Sequence, residues 1–194
     1  MQSDTVVLLA VVAGIAALAI IIWAALRGRR TTALRERFGD EYDRTLEEQG
    51  QRDRAEAALR EREERVAQLH IRPLEPHERQ AAITEWREVK AVFVDSPVES
   101  VHHADRLLAS IMKAKGYPMA DFDRRYEDLT VDHGEVARHY RDGHAITEQH
   151  RLGKASTEDL RQAMIHFEAL FDDLVNEPGP DDEARPVRGR ERAR

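Results

Sequence analysis

The chain contains no cysteine. That absence excludes disulfide staples, thiolate nucleophiles and cysteine-ligated metal, and it agrees with a reducing compartment. Aromatic residues are scarce at 6%, and ten glycines and seven prolines are few for 194 residues. A fold of many short strands and tight turns draws on all three, so the composition points to helices. No HExxH helix and no glycine-flanked serine elbow occurs, which removes the simplest metalloprotease and hydrolase readings. Long uncharged runs are missing too, with one exception.

That exception is Val6–Leu26, twenty-one consecutive residues without a charge. At ~1.5 Å per helical residue the run covers roughly the ~30 Å hydrocarbon core of a bilayer. It predicts a transmembrane helix, because a helix apolar on every face has no use on the surface of a small domain. Residues 1–5 carry no Lys or Arg, whereas Arg27, Arg29 and Arg30 follow the run directly. Positive residues stay on the cytoplasmic side, so the expectation is a short extracytoplasmic N-terminus and a cytoplasmic remainder. Trp23, one turn before the arginines, suits the interfacial belt. The run lacks the basic start and small-x-small site of a secretory signal, so the anchor is expected to stay uncleaved. Ala10 with Gly14, and Ala13 with Ala17, place small residues four apart, which would favour a homodimer in the membrane.

Charge is unevenly spread. Leu74–Val175 holds thirteen basic against twenty acidic residues, a net of −7, whereas Ala184–Arg194 holds five Arg against Glu191. An acidic body repels phosphate backbones and argues against nucleic acid as its partner. Residues 176–194 have no periodicity and read as a disordered tail.

Between anchor and body, residues 27–70 predict a basic flank and a charged helical stalk with weak points at Gly39 and Gly50. Leu34, Phe38, Tyr42 and Leu46 recur every four residues as a narrow apolar stripe. Asp40 after Gly39 reads as a helix stop followed by a new cap. Further on, Ala55, Leu59, Val66 and Leu69 keep a broken 4-3 rhythm in which Arg62 occupies a core position. Two flawed heptads make a weak coiled-coil signal, and a single helix supported by pairs such as Glu56 with Arg60 fits better. Run straight, forty such residues would project roughly 60 Å. Residues 71–76, IRPLEP, form the boundary, since two prolines three apart, Pro73 and Pro76, cannot continue a helix.

Residues 77–175 predict an antiparallel helical bundle, making the chain all-α. A first helix over His77–Val94 carries Ile83, Trp86, Val89 and Phe93 on one face. Ser96 and Pro97 start a second, with Val98, Val101, Leu108, Ile111 and Met112, which stops at Gly116. A short helix from about Asp121 presents Phe122, Tyr126 and Leu129. Another runs from Asp132 to Leu152, burying Val136, Tyr140 and Ile146. The last is capped by Ser156 with Asp159 in the box position and shows the clearest stripe: Leu160, Met164, Phe167, Phe171 and Leu174.

The runs RFGDEYDR (Arg37–Arg44), IRPL (Ile71–Leu74), KGYP (Lys115–Pro118) and GKASTEDLRQAM (Gly153–Met164) follow one another behind an N-terminal anchor. In this the chain resembles a family of uncharacterised single-pass membrane-anchored bacterial proteins. The resemblance implies a bacterial origin and the same architecture. It brings no activity, so it assigns no residue a role.

Nine histidines tempt a metal reading. His133, His139, His144, His150 and His166 fall in the last two major helices among many carboxylates. Their spacings of five and six residues point them around the helix rather than to one side, where shared ligands want i, i+3 or i, i+4. His102 and His103 diverge as neighbours. Ser96, Ser100, Ser110 and Ser156 have caps or helix surface as ordinary roles, and Gly153–Ser156 lacks the upstream glycine of a phosphate loop. Asp172 and Asp173 read as a solvated face. No catalytic, cofactor or metal residue is therefore predicted. Trp86 is expected in the core; on the surface it would be a partner-binding anchor.

Two function classes follow. One is a membrane-tethered, non-enzymatic interaction or scaffold protein that holds its bundle at the cytoplasmic face of a bacterial membrane for a protein partner, and it calls for an exposed apolar patch. The other is a membrane-tethered enzyme or metal-binding domain using His and carboxylate residues of the last two helices, and it calls for at least three of those side chains to converge.

Overall fold

The computed structural model describes residues 2–119 and 121–176, with side chains from residue 14 onward except at 16 and 23. Among the described residues the fold is all-α, with eight helices and no strand. The chain divides into two compact units, Met1–Glu61 and Arg62–Arg194.

The first unit begins with α1 (Gln2–Phe38), continues through α2 (Asp40–Gln49) and ends within α3 (Arg52–Val66). Among the described residues no helix is long and apolar enough to cross a membrane. The anchor expected at Val6–Leu26 lies within α1, but the side chains of residues 6–13, 16 and 23 are outside the described residues. Both expected weak points are breaks. Gly39 has φ 53 and ψ −128, a backbone that side chains with a Cβ resist, and α2 starts from it. Gly50 ends α2, its N–H bonded to the Leu46 carbonyl at 3.0 Å.

The segment after Arg30 consequently does not run straight. In one continuous helix Thr31 and Glu56 would lie roughly 37 Å apart, yet the Thr31 hydroxyl donates to the Glu56 carboxylate at 2.7 Å. Tyr42 donates to the same carboxylate at 3.1 Å and Arg52 at 2.9 Å. Glu56 is almost fully buried, as are Leu34, Phe38, Tyr42, Ala55 and Leu59. Burial pushes its carboxyl up, but the three donors outweigh this and hold it below the usual range. The expected Glu56–Arg60 pair does not form. Arg60 bonds the Glu56 main-chain oxygen instead, while Thr31, Tyr42 and Arg52 all meet Glu56 Oε1.

The second unit opens with the last turns of α3. Arg62, the residue that spoils the heptad rhythm, is buried and lies 3.5 Å from Glu127. Arg65 donates to Asp128 at 2.7 Å and to Glu127 at 2.9 Å. The rhythm breaks there because this turn faces acidic residues of its own chain.

Residues 71–74 then lie across the end of another helix. Arg72 N–H donates to the Lys115 carbonyl at 2.9 Å, so the IRPL and KGYP runs meet. Its guanidinium grips Glu78 through two bonds of 2.7 and 2.8 Å, and Glu78 also accepts the Glu75 N–H at 2.9 Å. Arg72 first, and that N–H second, hold the Glu78 carboxyl down at about 2. The acid thereby caps the helix that follows.

Five helices complete the unit: α4 (Pro76–Val92), α5 (Pro97–Lys115), α6 (Phe122–Asp132), α7 (Gly134–Arg151) and α8 (Thr157–Asn176). The expected boundaries hold to within two residues. Ser96 precedes Pro97 of α5, Gly116 ends it, and Asp121 caps α6 by accepting Arg124 N–H at 2.9 Å. Ser156 and Asp159 form the reciprocal box at the start of α8, with bonds of 2.7 and 3.3 Å. Contacts fix the directions. Trp86 and Lys90 of α4 meet Phe171 and Glu168 of α8 in antiparallel order. Along α7, His133, His139 and Tyr140 meet Asp173, His166 and Phe167. Phe122 and Tyr126 of α6 reach His144 and Arg141 of α7. Helix α8 is thus central, between α5 and α7, and its stripe Leu160, Met164, Phe167, Phe171 and Leu174 is buried as expected. At ~1.5–3 kcal/mol for each large apolar side chain, this stripe contributes substantially to a core it shares with Trp86, Leu108, Met112 and Tyr140.

Candidate functional site

The residues with the most chemistry are the histidines, and α7 and α8 disperse most of them. His133, at the start of α7, bonds Asp173. His144 stacks on Phe122 with ring centroids 3.6 Å apart and planes at 8°. His150 Nδ1 meets the Ala155 carbonyl at 3.2 Å, and His103 Nε2 meets Glu85 at 2.9 Å. A Glu-x-x-His spacing also occurs at Glu99 and His102, but Glu99 accepts from Arg106 at 3.0 Å.

One pair converges. His139 and His166 face each other across α7 and α8 with Nδ1 atoms 3.0 Å apart. Burial lowers the His166 pKa, and the nearby His139 and Arg138 charges lower it further, against the opposing pull of Asp142. Neutral rings satisfy this contact, one Nδ1–H donating to the other Nδ1. Among the described residues no group of three or more His, Asp or Glu is placed to hold a metal ion.

A second polar cluster escaped the sequence reading. The Tyr140 hydroxyl faces Asp105 and Arg125 without forming a hydrogen bond of normal geometry, and Tyr140 is fully buried. Burial, then the Asp105 charge, pushes its pKa up to about 12, with Arg125 opposing. A phenol so placed stays protonated and is no base. Asp105 Oδ1 and His144 Nδ1 are likewise buried without a partner. Apolar periodicity assigns Tyr140 to the core but says nothing about which polar groups of α5 and α6 meet it.

The serines have structural roles. Ser100 is buried and donates to the Val89 carbonyl at 2.7 Å, Ser110 donates to Leu107 at 2.8 Å, and Ser156 is the α8 cap. Gly153, at φ 70, is a helix stop before that cap and no phosphate loop. Trp86 is 3% exposed and stacks on Phe171 at 4.6 Å, with its N–H 3.5 Å from Glu168. It is a core residue, so it cannot serve as a surface anchor. Of the expected membrane-flanking residues, Arg27 pairs with Asp53, Arg29 and Arg30 are exposed, and the Trp23 side chain is outside the described residues.

Of the exposed apolar side chains in the second unit, three flank the α4–α5 turn, whereas Met119 and Leu152 stand singly after α5 and α7. Val94 is 83% exposed, with Val92 and Val98 beside it at 38% and 39%. Ser100 touches both Val89 and Met164, so Ile165, 46% exposed, lies toward the same end. Val98 had been expected on the buried face; it falls in the first turn of α5, before the helix is covered. Compared with protein-family models, with curated proteins and with solved structures, the chain finds no match in any of the three.

Proposed function

We propose that this chain is a membrane-tethered, non-enzymatic interaction protein that presents its helical bundle to a protein partner at the cytoplasmic face of a bacterial membrane. The observation that carries the reading is the apolar tip formed by Val92, Val94 and Val98. Lone exposed apolar residues are ordinary, but three within seven positions at one turn make a patch that a partner covers. The tether is supported by the uncharged run and by α1 itself. Ile15, Leu18, Ile20, Ile21, Ile22 and Leu26 are each about half exposed or more, and they point around the helix rather than along one face. Lipid would cover all of them at once. Arg27, Arg29 and Arg30 set the orientation.

The test is crosslinking in living cells with the full-length chain, the Val94→Asp variant and an anchor-only control. A protein crosslinked near stoichiometry to the full chain, and lost in both other forms, supports the reading. Unchanged crosslinking of Val94→Asp would refute the tip as the contact.

The alternative, a metal-binding domain, calls for three converging ligands, and among the described residues His139 and His166 are a pair without a third. It predicts stoichiometric Zn2+ or Cu2+ in protein purified without chelators, and loss of that metal in His166→Gln.

A further inference from the structure

At Leu26 the first unit has a solvent-open pocket of about 210 Å3, lined by Leu26, Arg27, Arg30, Asp53, Glu56 and Arg60. It is smaller than the ~300–1,000 Å3 typical of sites for whole drug-sized molecules. Its charges are not balanced evenly. Arg27 is paired with Asp53. The Glu56 carboxylate is held by Thr31, Tyr42 and Arg52, so it is committed to the fold. Arg30 and Arg60 are exposed, and among the described residues neither has a carboxylate partner. Only Arg60 Nε is engaged, by the Glu56 main-chain oxygen at 3.1 Å. Two guanidinium groups without counter-charge therefore line one small cavity, on two different helices. The two arginines thus open onto one pocket, and their planar forks suit phosphate oxygens.

Position identifies which anion. Leu26 closes the uncharged run and lines the cavity itself, and Arg27 and Arg30 lie within one helical turn of it. We propose that this cavity seats the phosphate of an anionic phospholipid headgroup, with Arg30 of α1 and Arg60 of α3 as its two prongs. The inference rests on Val6–Leu26 being the membrane anchor: only then does the cavity sit at headgroup level. Occupancy joins α3 to the bilayer surface, so the fold after the anchor reads leaflet charge.

The test uses the full chain in nanodiscs of phosphatidylcholine alone or with phosphatidylglycerol as a minor component, and native mass spectrometry counts the retained lipid. Arg30→Gln/Arg60→Gln is compared with Arg29→Gln/Arg54→Gln, which removes the same charge from exposed positions on the same two helices. The expected result is a preference for phosphatidylglycerol about tenfold weaker in the first pair than in the second. Equal losses in the two pairs would overturn the site and leave only a basic flank. Arg30→Gln alone, which breaks no bond within the chain, should weaken the preference without lowering helix content; no change would also overturn the site. Inorganic phosphate is added to the chain in neutral detergent. Stabilisation there that matches the effect of phosphatidylglycerol would overturn the lipid as ligand and mark a soluble phosphate site. If the chain fails to enter phosphatidylcholine nanodiscs, the anchor reading fails; if it enters without headgroup preference, only the cavity proposal fails.

Discussion

Replacing Gly116 with Ala tests whether the boundary segment is rigidly seated on the bundle. Gly116 has φ 106, and a Cβ built on it would lie 2.4 Å from the His70 carbonyl oxygen and 3.1 Å from its carbon. The positive φ alone costs a side chain about 1–2 kcal/mol. The clash adds more, because the atom in the way is main chain and cannot rotate aside. Relief means moving residues 70–72 away and giving up the Arg72 N–H bond to Lys115, 2.9 Å long and worth about 1 kcal/mol. The expected total is about 3 kcal/mol or more. Gly153 supplies the control within the same unit, with φ 70 and nothing within 4 Å of its added Cβ. Gly153→Ala should therefore cost only the backbone term, about 1–2 kcal/mol.

The assay is urea unfolding of the full chain in neutral detergent, followed by Trp86 fluorescence in a Trp23→Phe background. Trp86 is stacked on Phe171 in the core, so its signal follows the second unit. A difference of about 2 kcal/mol between the two variants corresponds to roughly 30-fold in the folding equilibrium. Equal destabilisation would refute the reasoning, because it would mean that the His70 main chain yields freely and that the IRPL and KGYP runs are not locked together.

Two further predictions concern the polar clusters. Tyr140→Phe removes a buried hydroxyl without a hydrogen-bond partner, so stability should be unchanged or rise by about 1 kcal/mol in the same urea assay; a loss above about 1 kcal/mol would show that the hydroxyl is satisfied. For His166, whose pKa is lowered in the fold, the unfolded chain binds more protons. Its contribution is complete above the unfolded value of about 6.5 and is lost as pH falls below it. Stability should decline between pH 7 and pH 5, less steeply in His166→Gln, and identical slopes would exclude the pair as a source of pH dependence.

Most helices of the second unit were legible because they are marked twice, by a stripe and by a boundary residue; α7, which starts at His133 without a side-chain cap bond, has the stripe alone. Ser96–Pro97, Gly116, Asp121 and the Ser156–Asp159 box place boundaries by local chemistry that needs no tertiary partner. The stretch from Thr31 to Val66 was legible only in part. Gly39 and Gly50 announce breaks, but a break does not say which way the chain turns, and the return of α3 to Thr31 depends on Glu56 accepting from Thr31 and Tyr42, far from it in sequence, as well as from Arg52 one turn before it. A pairing rule for i, i+4 neighbours put Glu56 with Arg60 and could not foresee Thr31, twenty-five residues earlier.

The same limit explains what was read of the candidate site. Each conspicuous run marks a joint: RFGDEYDR the Gly39 break with Phe38 and Tyr42 buried on either side, IRPL and KGYP one contact, GKASTEDLRQAM a helix stop and cap. Such joints need particular residues, because positive φ, capping and main-chain contact tolerate few substitutes. Groups that meet only in three dimensions carry no local signature. His139 meets His166 across twenty-seven positions, and Arg30 shares a cavity with Arg60 across thirty. The valine tip was hidden for a different reason: Val98 satisfies the helical stripe of α5 and reads as core, whereas Val92 and Val94 lie off the Ile83, Trp86, Val89 and Phe93 face and carry no signal of their own.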